Sequence, residues 1–191
     1  MSYNSKDLKE MASVVRAWAL HALKCAKNGH VGIVLGAADV ITAVYANYLR
    51  FGCDRFILSA GHGSALLYSV LNLCGYDIRS LNSFRKINGL PGHPEFGIDG
   101  VDATTGPLGQ GVGNAVGMAM AEKINKTDSR VYCLCSDGDL MEGVSYEVLS
   151  FAGKLKLNKL ILLYDSNNVT LDSDLERSSD EDIITRFRSI N

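Results

Sequence analysis

The chain has 191 residues, of which 47% are hydrophobic and 21% are charged, a composition that excludes an intrinsically disordered protein. Its 19 Lys and Arg side chains against 21 Asp and Glu give a formal net charge of −2, so the basic surface of a nucleic-acid-binding protein is not expected. The first residues lack the apolar run of a secretory signal, which predicts a cytoplasmic protein with five reduced, mostly buried cysteines.

Two helices are predicted in the first 50 residues. Apolar side chains recur at helical spacing over residues 5–27, and the Asn-Gly pair at positions 28 and 29 is typical of a helix end. Residues 31–49 approach the length of a bilayer span, but charged and amide side chains interrupt them. We therefore predict a buried helix over residues 37–49 and no membrane partner.

The rest of the chain alternates between strands and helices, which predicts an α/β protein with parallel strands. A strand at 55–59 leads through a glycine-rich turn into a helix at 64–74. Residues 88–105 form a long aperiodic loop, and such loops in compact domains are usually functional. The later predicted elements are a helix at 108–124, a strand at 131–135, a helix at 142–155, a strand at 160–164 and a helix within 181–191.

Polar side chains follow the last two predicted strands where each strand ends. Asp137 lies within Ser136–Asp139, and Asn167 follows the next strand. Because ligands bind at the carboxyl ends of parallel strands, we expect both side chains on one rim of the sheet. Their oxygens suit Mg²⁺ or Ca²⁺, and the N-terminus of the 142–155 helix favours an anion. Each cluster alone would be an ordinary turn, but together they predict a metal-bridged diphosphate.

The glycine-rich segment 106–113 is not interpreted as a dinucleotide motif. No apolar strand precedes it, and the spacing G-x-G-x-x-G is not matched in register. We interpret it as backbone that approaches a ligand or partner, followed by a helix in which Gly113, Gly117, Ala121 and their neighbours permit close packing.

Three of the four histidines, His30, His62 and His93, lie beside glycine in predicted loops. Such a group predicts a cluster that binds hydroxyl groups or transfers protons. His21 lies within the first helix and is interpreted as structural.

Five further segments carry recognisable motifs: LSAGHGSALLYSVLNLCGY (58–76), PGHPEFG (91–97), TTGPLGQGVGNAVGMAMAEK (104–123), SDGDLMEGVSYE (136–147) and YDSNNVTLD (164–172). Together these segments resemble transketolase, a thiamine diphosphate enzyme. They correspond in order to its amino-terminal, diphosphate-binding domain, and the resemblance runs from about residue 30 to residue 172. It implies a three-layer α/β/α fold with a mostly parallel sheet and a single domain over residues 1–191 that lacks its C-terminal portion.

The resemblance implies a role for each matching residue of the cofactor site. Asp137 and Asn167 match side chains that ligate Mg²⁺, for which Ca²⁺ or Mn²⁺ substitutes, and Val169 matches a residue that ligates it through its backbone carbonyl. The residues implied to contact thiamine diphosphate are His62, Gly106, Leu108, Gly138 and Asn167.

The resemblance also implies the reacting groups and the partners. His30 and His93 match histidines that contact the sugar hydroxyls and move protons. Glu142 matches a glutamate in an acidic link between the two cofactors of a dimer, and Glu147 is assigned to the same link. The reaction implied is transfer of a two-carbon ketol unit from a ketose phosphate to an aldose phosphate.

Three positions depart from the family pattern. Val31 follows His30 where the family has proline, which leaves the φ of that loop unfixed. Ala60 replaces the asparagine that precedes the glycine-histidine pair, and Ser136 replaces the glycine that precedes Asp137.

The pyrimidine-binding and C-terminal domains of the family have no counterpart in these 191 residues, so we expect no turnover from this chain alone. We expect a fragment of a transketolase, or a natural subunit of a split enzyme. It would form a homodimer or pair with the missing portion through the face around Pro107, Gln110 and Glu142. The alternatives are a dihydroxyacetone synthase, a deoxyxylulose-phosphate synthase, or a non-catalytic interaction protein on the same scaffold.

Overall fold

A computed structural model describes residues 2–170 and 173–190, and these residues form two compact units. The first unit consists of Met1–Gly52 and Gly61–Thr104, and the second of Cys53–Ala60 and Thr105–Asn191. Positions 171 and 172, which end the fifth segment of the resemblance, lie outside the described residues. Within the described ranges, no helix combines the length and the apolar character that crossing a bilayer requires.

The first unit is built from helices. Its long helix α1 is started by Asn4, whose side chain accepts hydrogen bonds from the N–H groups of Lys6 and Asp7. The helix ends at Lys27, which takes the left-handed conformation (φ 54°) just before the Asn-Gly pair expected to end it. The α-helices of this unit are α1 (Ser5–Ala26), α2 (Val31–Gly36), α3 (Ala38–Ala43) and α4 (Ser64–Leu73).

The helix predicted over residues 37–49 is present as α3 and the π-helical turn that continues it, but the short helix α2 before it was not predicted. The helical segment begins earlier, with α2, and is interrupted at Ala37 before α3. A π-helical turn, Val44–Tyr48, completes it. The interruption directly follows Gly36, and glycine is a poor helix former.

Helix α4 forms the centre of the first unit. Ser64–Leu71, the first eight of its ten residues, are buried, which explains why its sequence shows no polar face. A 3-10 turn, Gly61–Gly63, leads directly into it. The half-buried His62 therefore lies in the turn immediately before this helix.

The second unit is built on a parallel sheet with the strand order β1-β2-β3. This arrangement confirms the predicted α/β class. Its strands are β1 (Arg55–Leu58), β2 (Val131–Ser136) and β3 (Leu160–Asp165), with a short antiparallel pair β4 (Val169–Thr170) and β5 (Ser173–Asp174). Its helices are α5 (Gln110–Asn125), α6 (Asp137–Met141), α7 (Gly143–Lys154) and α8 (Ile183–Ser189).

The core of the second unit lies around β2. All six of its residues are buried, including Cys133 and Cys135, as expected for core packing. Burial raises the pKa of both thiols, that of Cys135 to about 12. Both cysteines are therefore neutral packing residues. The prediction of mostly buried cysteines was wrong for the other three, because Cys25 and Cys53 are half-buried and Cys74 is exposed.

The close approach of α5 to β1 depends on Gly111. A Cβ at this position would lie 2.5 Å from the Cα of Ser59, whereas Gly113 has only an ordinary contact and Gly117 has no neighbour within 4 Å. The sequence pointed to Gly113 and Gly117 for close packing, and that assignment was wrong because helical spacing does not show which glycine faces the sheet.

Candidate functional site

The ends of β2 and β3 meet at one rim of the sheet, as predicted. The two strands pair in parallel with Ser136 opposite Asp165. Asp137 follows β2 and is only 1% exposed. Its Oδ2 accepts hydrogen bonds from the backbone N–H groups of Asn167 (3.1 Å) and Asn168 (3.0 Å). The loop after β3 therefore closes directly on the carboxylate that follows β2.

Only neutral donors hold the Asp137 carboxylate. Its Oδ1 accepts a hydrogen bond from the hydroxyl of Tyr164. Burial, and then this bond, raise the pKa of Tyr164 to about 12. Across residues 2–170 and 173–190, no lysine or arginine pairs with Asp137. A buried carboxylate without a cationic partner is costly, so a bound cation fits this position.

The predicted amide and carbonyl ligands lie in the same loop. Oδ1 of Asn167 accepts from the N–H of Val169 (3.0 Å), and its Nδ2 donates to Oδ2 of Asp165 (3.2 Å). Asn168 takes the left-handed conformation (φ 59°), which asparagine tolerates. Val169 is 44% exposed. The amide oxygen retains a second lone pair for a cation.

The candidate metal ligands therefore include few acidic side chains. The described part of the chain contains no group of three or more His, Cys, Asp or Glu side chains suited to a metal. The three predicted ligands instead offer one carboxylate, one amide and one backbone carbonyl. All are hard oxygen donors of the kind that Mg²⁺ accepts when phosphate and water complete its shell.

Asp139 organises the rim, a role that the sequence analysis missed. Its Oδ1 accepts from the hydroxyl of Ser59 (2.7 Å) and the N–H of Gly109 (2.9 Å). Its Oδ2 accepts from the N–H of Ser136 (3.0 Å). This fully buried carboxylate joins the end of β1, the glycine-rich loop and the end of β2. The signal was the spacing S-x-x-D, that of a capping box.

A short helix, α6, begins directly after β2 and was not predicted. The nearest helix N-terminus to the rim is therefore that of α6, and its first turn carries Asp137 and Asp139. Acidic side chains are favourable in a first turn because they face the positive end of the helix dipole. The predicted helix at 142–155 is α7, which starts one residue later, with Glu142 as its N-cap.

The glycine-rich loop packs against the start of α6 and α7. A Cβ at Gly138 would lie 3.1 Å from Cδ1 of Leu108, so two residues implied to contact the cofactor are neighbours. Gly109 has a φ of 78°, and a Cβ there would lie 2.7 Å from Cβ of Glu142. Gly106 precedes this pair in the same loop. Only glycine fits at position 109.

Glu142 and Glu147 are both exposed. Glu142 lies at the start of α7 beside the glycine-rich loop, and Glu147 lies within α7. Their carboxylates are thus accessible from outside the second unit. Their assignment to a link between subunits stays a prediction.

In the first unit, His30 and His62 lie together. Their ring centroids are 5.1 Å apart, in an edge-to-face arrangement. His30 is the N-cap residue of α2, and Val31 is the first residue of that helix. Proline, the residue of the family pattern, is favoured at the first position of a helix. The helix starts at this position with valine as well, so the departure from the pattern leaves the helix start in place.

His93 is held by α4 through its backbone. The Tyr68 hydroxyl donates to the carbonyl of His93 (3.0 Å), and the Ser64 hydroxyl donates to the carbonyl of Gly92 (2.7 Å). Burial lowers the pKa of His30 and of His93, and the positive charge of Arg85 lowers both further. The structure therefore brings the three loop histidines into one neighbourhood of the first unit and favours the neutral imidazole at His30 and His93.

His21 lies apart from this group on α1. Its Nε2 is 2.6 Å from Oδ1 of Asn82, and Sγ of Cys25 is 3.4 Å from the same nitrogen. The contact joins α1 to the 3-10 turn Leu81–Ser83, which agrees with the structural role predicted for His21.

Comparison with known proteins points to one family. A family model described as "Transketolase, thiamine diphosphate binding domain" matches residues 8–191. The chain is 46% identical to the transketolase of Bacillus subtilis over 96% of its own length, and 43% identical to transketolase 1 of Escherichia coli over 95%. It spans 31% of the length of either protein.

Solved structures give the same result for the fold. The chain superimposes on the transketolase of Campylobacter jejuni with a TM-score of 0.92 at 41% identity, covering 98% of this chain and 32% of that one. The transketolase of Leishmania mexicana gives a TM-score of 0.91 at 36% identity, covering 100% of this chain and 31% of that one.

Proposed function

Because the chain belongs to the transketolase family and corresponds to its thiamine diphosphate-binding domain, we propose that it supplies the metal- and diphosphate-binding part of a ketol transferase. The enzyme would move a two-carbon unit from a ketose phosphate to an aldose phosphate. A transketolase of Pichia stipitis that resembles this chain at 40% identity has been solved in complex with sedoheptulose 7-phosphate, which supports sugar phosphates as the substrate class. The relatives named above are all transketolases, which favours this function over the other thiamine diphosphate synthases.

The observation that carries the proposal is the arrangement around Asp137. Its buried carboxylate has no cationic partner in the described residues and receives the N–H groups of Asn167 and Asn168. We assign Asp137, Asn167 and the Val169 carbonyl as ligands of Mg²⁺. When bound, thiamine diphosphate supplies the carbanion that accepts and releases the ketol unit. The protein residues hold its diphosphate through the cation.

The other cofactor contacts in the proposal are His62, Gly106, Leu108 and Gly138. Gly138 would let the backbone of α6 approach the diphosphate, because glycine has no side chain to hold the two apart. Leu108, which lies against Gly138, would give the cofactor an apolar contact. His62 would donate a hydrogen bond to the diphosphate.

His30 and His93 would bind the sugar hydroxyls and exchange protons with them. A neutral imidazole has one donor and one acceptor nitrogen, and the lowered pKa of both residues favours that form. Each can therefore accept a proton from a substrate hydroxyl and return it later.

Further parts of the proposal concern the assembly. We propose a cytoplasmic protein in which residues 1–191 act as one cofactor-binding domain, within a homodimer or paired with a pyrimidine-binding portion. Glu142 and Glu147, exposed on the second unit, would lie at that contact. Without it we expect no turnover, so ketol transfer by the purified chain alone would contradict this part of the proposal.

Calorimetry tests the cofactor assignment. Thiamine diphosphate is titrated into the wild-type chain with Mg²⁺ and with a chelator, and then into Asp137→Ala. We expect Mg²⁺-dependent binding by the wild type that weakens by more than about tenfold in Asp137→Ala, because a charged ligand is lost.

The matched control is Asp128→Ala, which removes an exposed carboxylate that pairs with Lys159 at the opposite end of β2. It should bind like the wild type. Binding that does not need Mg²⁺, equal binding by Asp137→Ala, or no binding by the wild type would each overturn the assignment.

A further inference from the structure

Arg85 occupies an unusual position in the loop that leads to His93. Its backbone is in the left-handed region (φ 57°), which is uncommon for a residue with a side chain. Its N–H donates a hydrogen bond of 2.7 Å to the carbonyl of Leu90. This bond closes the turn before Pro91.

The Arg85 side chain connects the two histidine loops. Its Nη1 donates a hydrogen bond of 2.9 Å to Oδ1 of Asn28, two residues before His30. Its stem lies on Gly92, next to His93, so closely that a Cβ at Gly92 would be 2.9 Å from Nε of Arg85. One guanidinium therefore contacts the neighbours of both His30 and His93.

The charge of Arg85 has no acidic partner among the described residues. No carboxylate pairs with its guanidinium anywhere in the described part of the first unit, and its buried Nε has no hydrogen-bond partner. Its Cζ lies 5.6 Å from the centre of the Phe84 ring, a weak attraction that leaves the charge uncompensated. The positive field therefore acts on the imidazoles.

We propose that Arg85 is the positioning residue of the histidine group: its guanidinium ties the His30 loop to the His93 loop and places a positive charge beside both imidazoles. It acts through the histidines and the loops. The importance of this role for sugar binding rests on the proposed function. The connection that Arg85 makes between the two loops does not depend on it.

Other charged and titratable groups also lie near the two imidazoles. His93 acts on His30 in the same direction as Arg85, and His62 contacts the His30 ring. The carboxylate of Glu95, two residues after His93, acts on Tyr68. Arg85 is the only one of these groups with a permanent positive charge, which makes it the group to change.

The test uses the cofactor-free chain, so it is independent of thiamine diphosphate binding. NMR follows the ring signals of His30 and His93 through a pH titration, and hydrogen exchange follows the backbone amides of residues 28–30 and 92–93. The variants are Arg85→Gln, which removes the charge and the tie, Arg85→Lys, which keeps the charge, and Asn28→Ala, which removes the tie alone. Lys86→Gln, which removes an exposed charge from the adjacent residue, is the matched control.

We expect Arg85→Gln to raise the pKa of both histidines towards their usual value, and Arg85→Lys to raise it less. Amide exchange in residues 28–30 should accelerate about fivefold in Arg85→Gln and Asn28→Ala, as the loss of one hydrogen bond implies. Lys86→Gln should leave both measurements unchanged. The proposal is overturned if Arg85→Gln titrates like the wild type, or if exchange is unchanged in Asn28→Ala. If Arg85→Gln does not fold, the amide exchange of Asn28→Ala tests the proposal by itself.

Discussion

The backbone N–H of Asn167 donates a hydrogen bond of 3.1 Å to the side-chain carboxylate of Asp137, 30 positions earlier in the chain. The contact exists because β2 and β3 are adjacent parallel strands whose ends coincide. A second backbone N–H, that of Asn168, donates to the same buried carboxylate. The proposed metal-binding role of the chain rests on this contact.

The stability of the rim should depend on Asp139. Asp139→Asn keeps the shape of the side chain but replaces one accepting oxygen with an N–H₂ group, which is itself a donor. That group would face either the donor of Ser136 or the donors of Ser59 and Gly109. We expect a loss of about 3 kcal/mol in the free energy of unfolding, because buried donors are left without an acceptor. Urea denaturation measures it. Asp128→Asn, at an exposed position, should change the value by less than about 0.5 kcal/mol, and equal effects of the two changes would disprove the role of Asp139.

Two glycines of α5 should respond to alanine in opposite directions. Gly111→Ala puts a methyl group 2.5 Å from the backbone of Ser59 and should cost about 2 kcal/mol through displacement of the helix. Gly117→Ala meets no atom within 4 Å and should stabilise the protein by about 0.5–1 kcal/mol, as alanine does within helices. Thermal unfolding of both variants checks the pair, and a change of the same sign in both would contradict the packing described here.

Stability should fall on acidification because of His30 and His93. Their pKa values are lowered in the folded state, so near pH 6 the unfolded chain binds more protons than the folded chain. The free energy of unfolding should therefore be highest above the usual histidine pKa of about 6.5 and should decrease as the pH falls through and below it. Denaturation at a series of pH values should show a shallower decrease for the double variant His30→Asn/His93→Asn. A steeper decrease in that variant would mean that the direction of the shift is wrong.

The sheet and its rim could be predicted from the sequence because they follow from local pattern. The apolar runs at 131–135 and 160–164 gave β2 and β3, and the polar residues after them gave the site of Asp137 and Asn167. The two runs look equally apolar, yet β2 is fully buried and β3 only half-buried in the described residues. That difference depends on which elements cover each strand, and the apolar pattern of a strand does not show this.

The missed features depend on contacts between distant residues. Arg85 is 57 positions from Asn28, to which it is hydrogen-bonded, and nothing in its local sequence distinguishes it from an exposed arginine. Asp139 belongs to the polar cluster after β2, but its role depends on a hydrogen bond from Ser59, which is 80 positions away. Helix α6 was missed because five residues are too few to show helical periodicity.

Crystals of the chain grown with thiamine diphosphate and Mn²⁺ in place of Mg²⁺ would locate the cation directly by its anomalous scattering. We expect one strong peak about 2.1 Å from an oxygen of Asp137, the usual length of such a bond, with the Asn167 amide oxygen and the Val169 carbonyl completing the protein ligands beside the diphosphate. A cofactor-bound structure whose peak lies away from Asp137, or in which Asn167 points away from the ion, would contradict it.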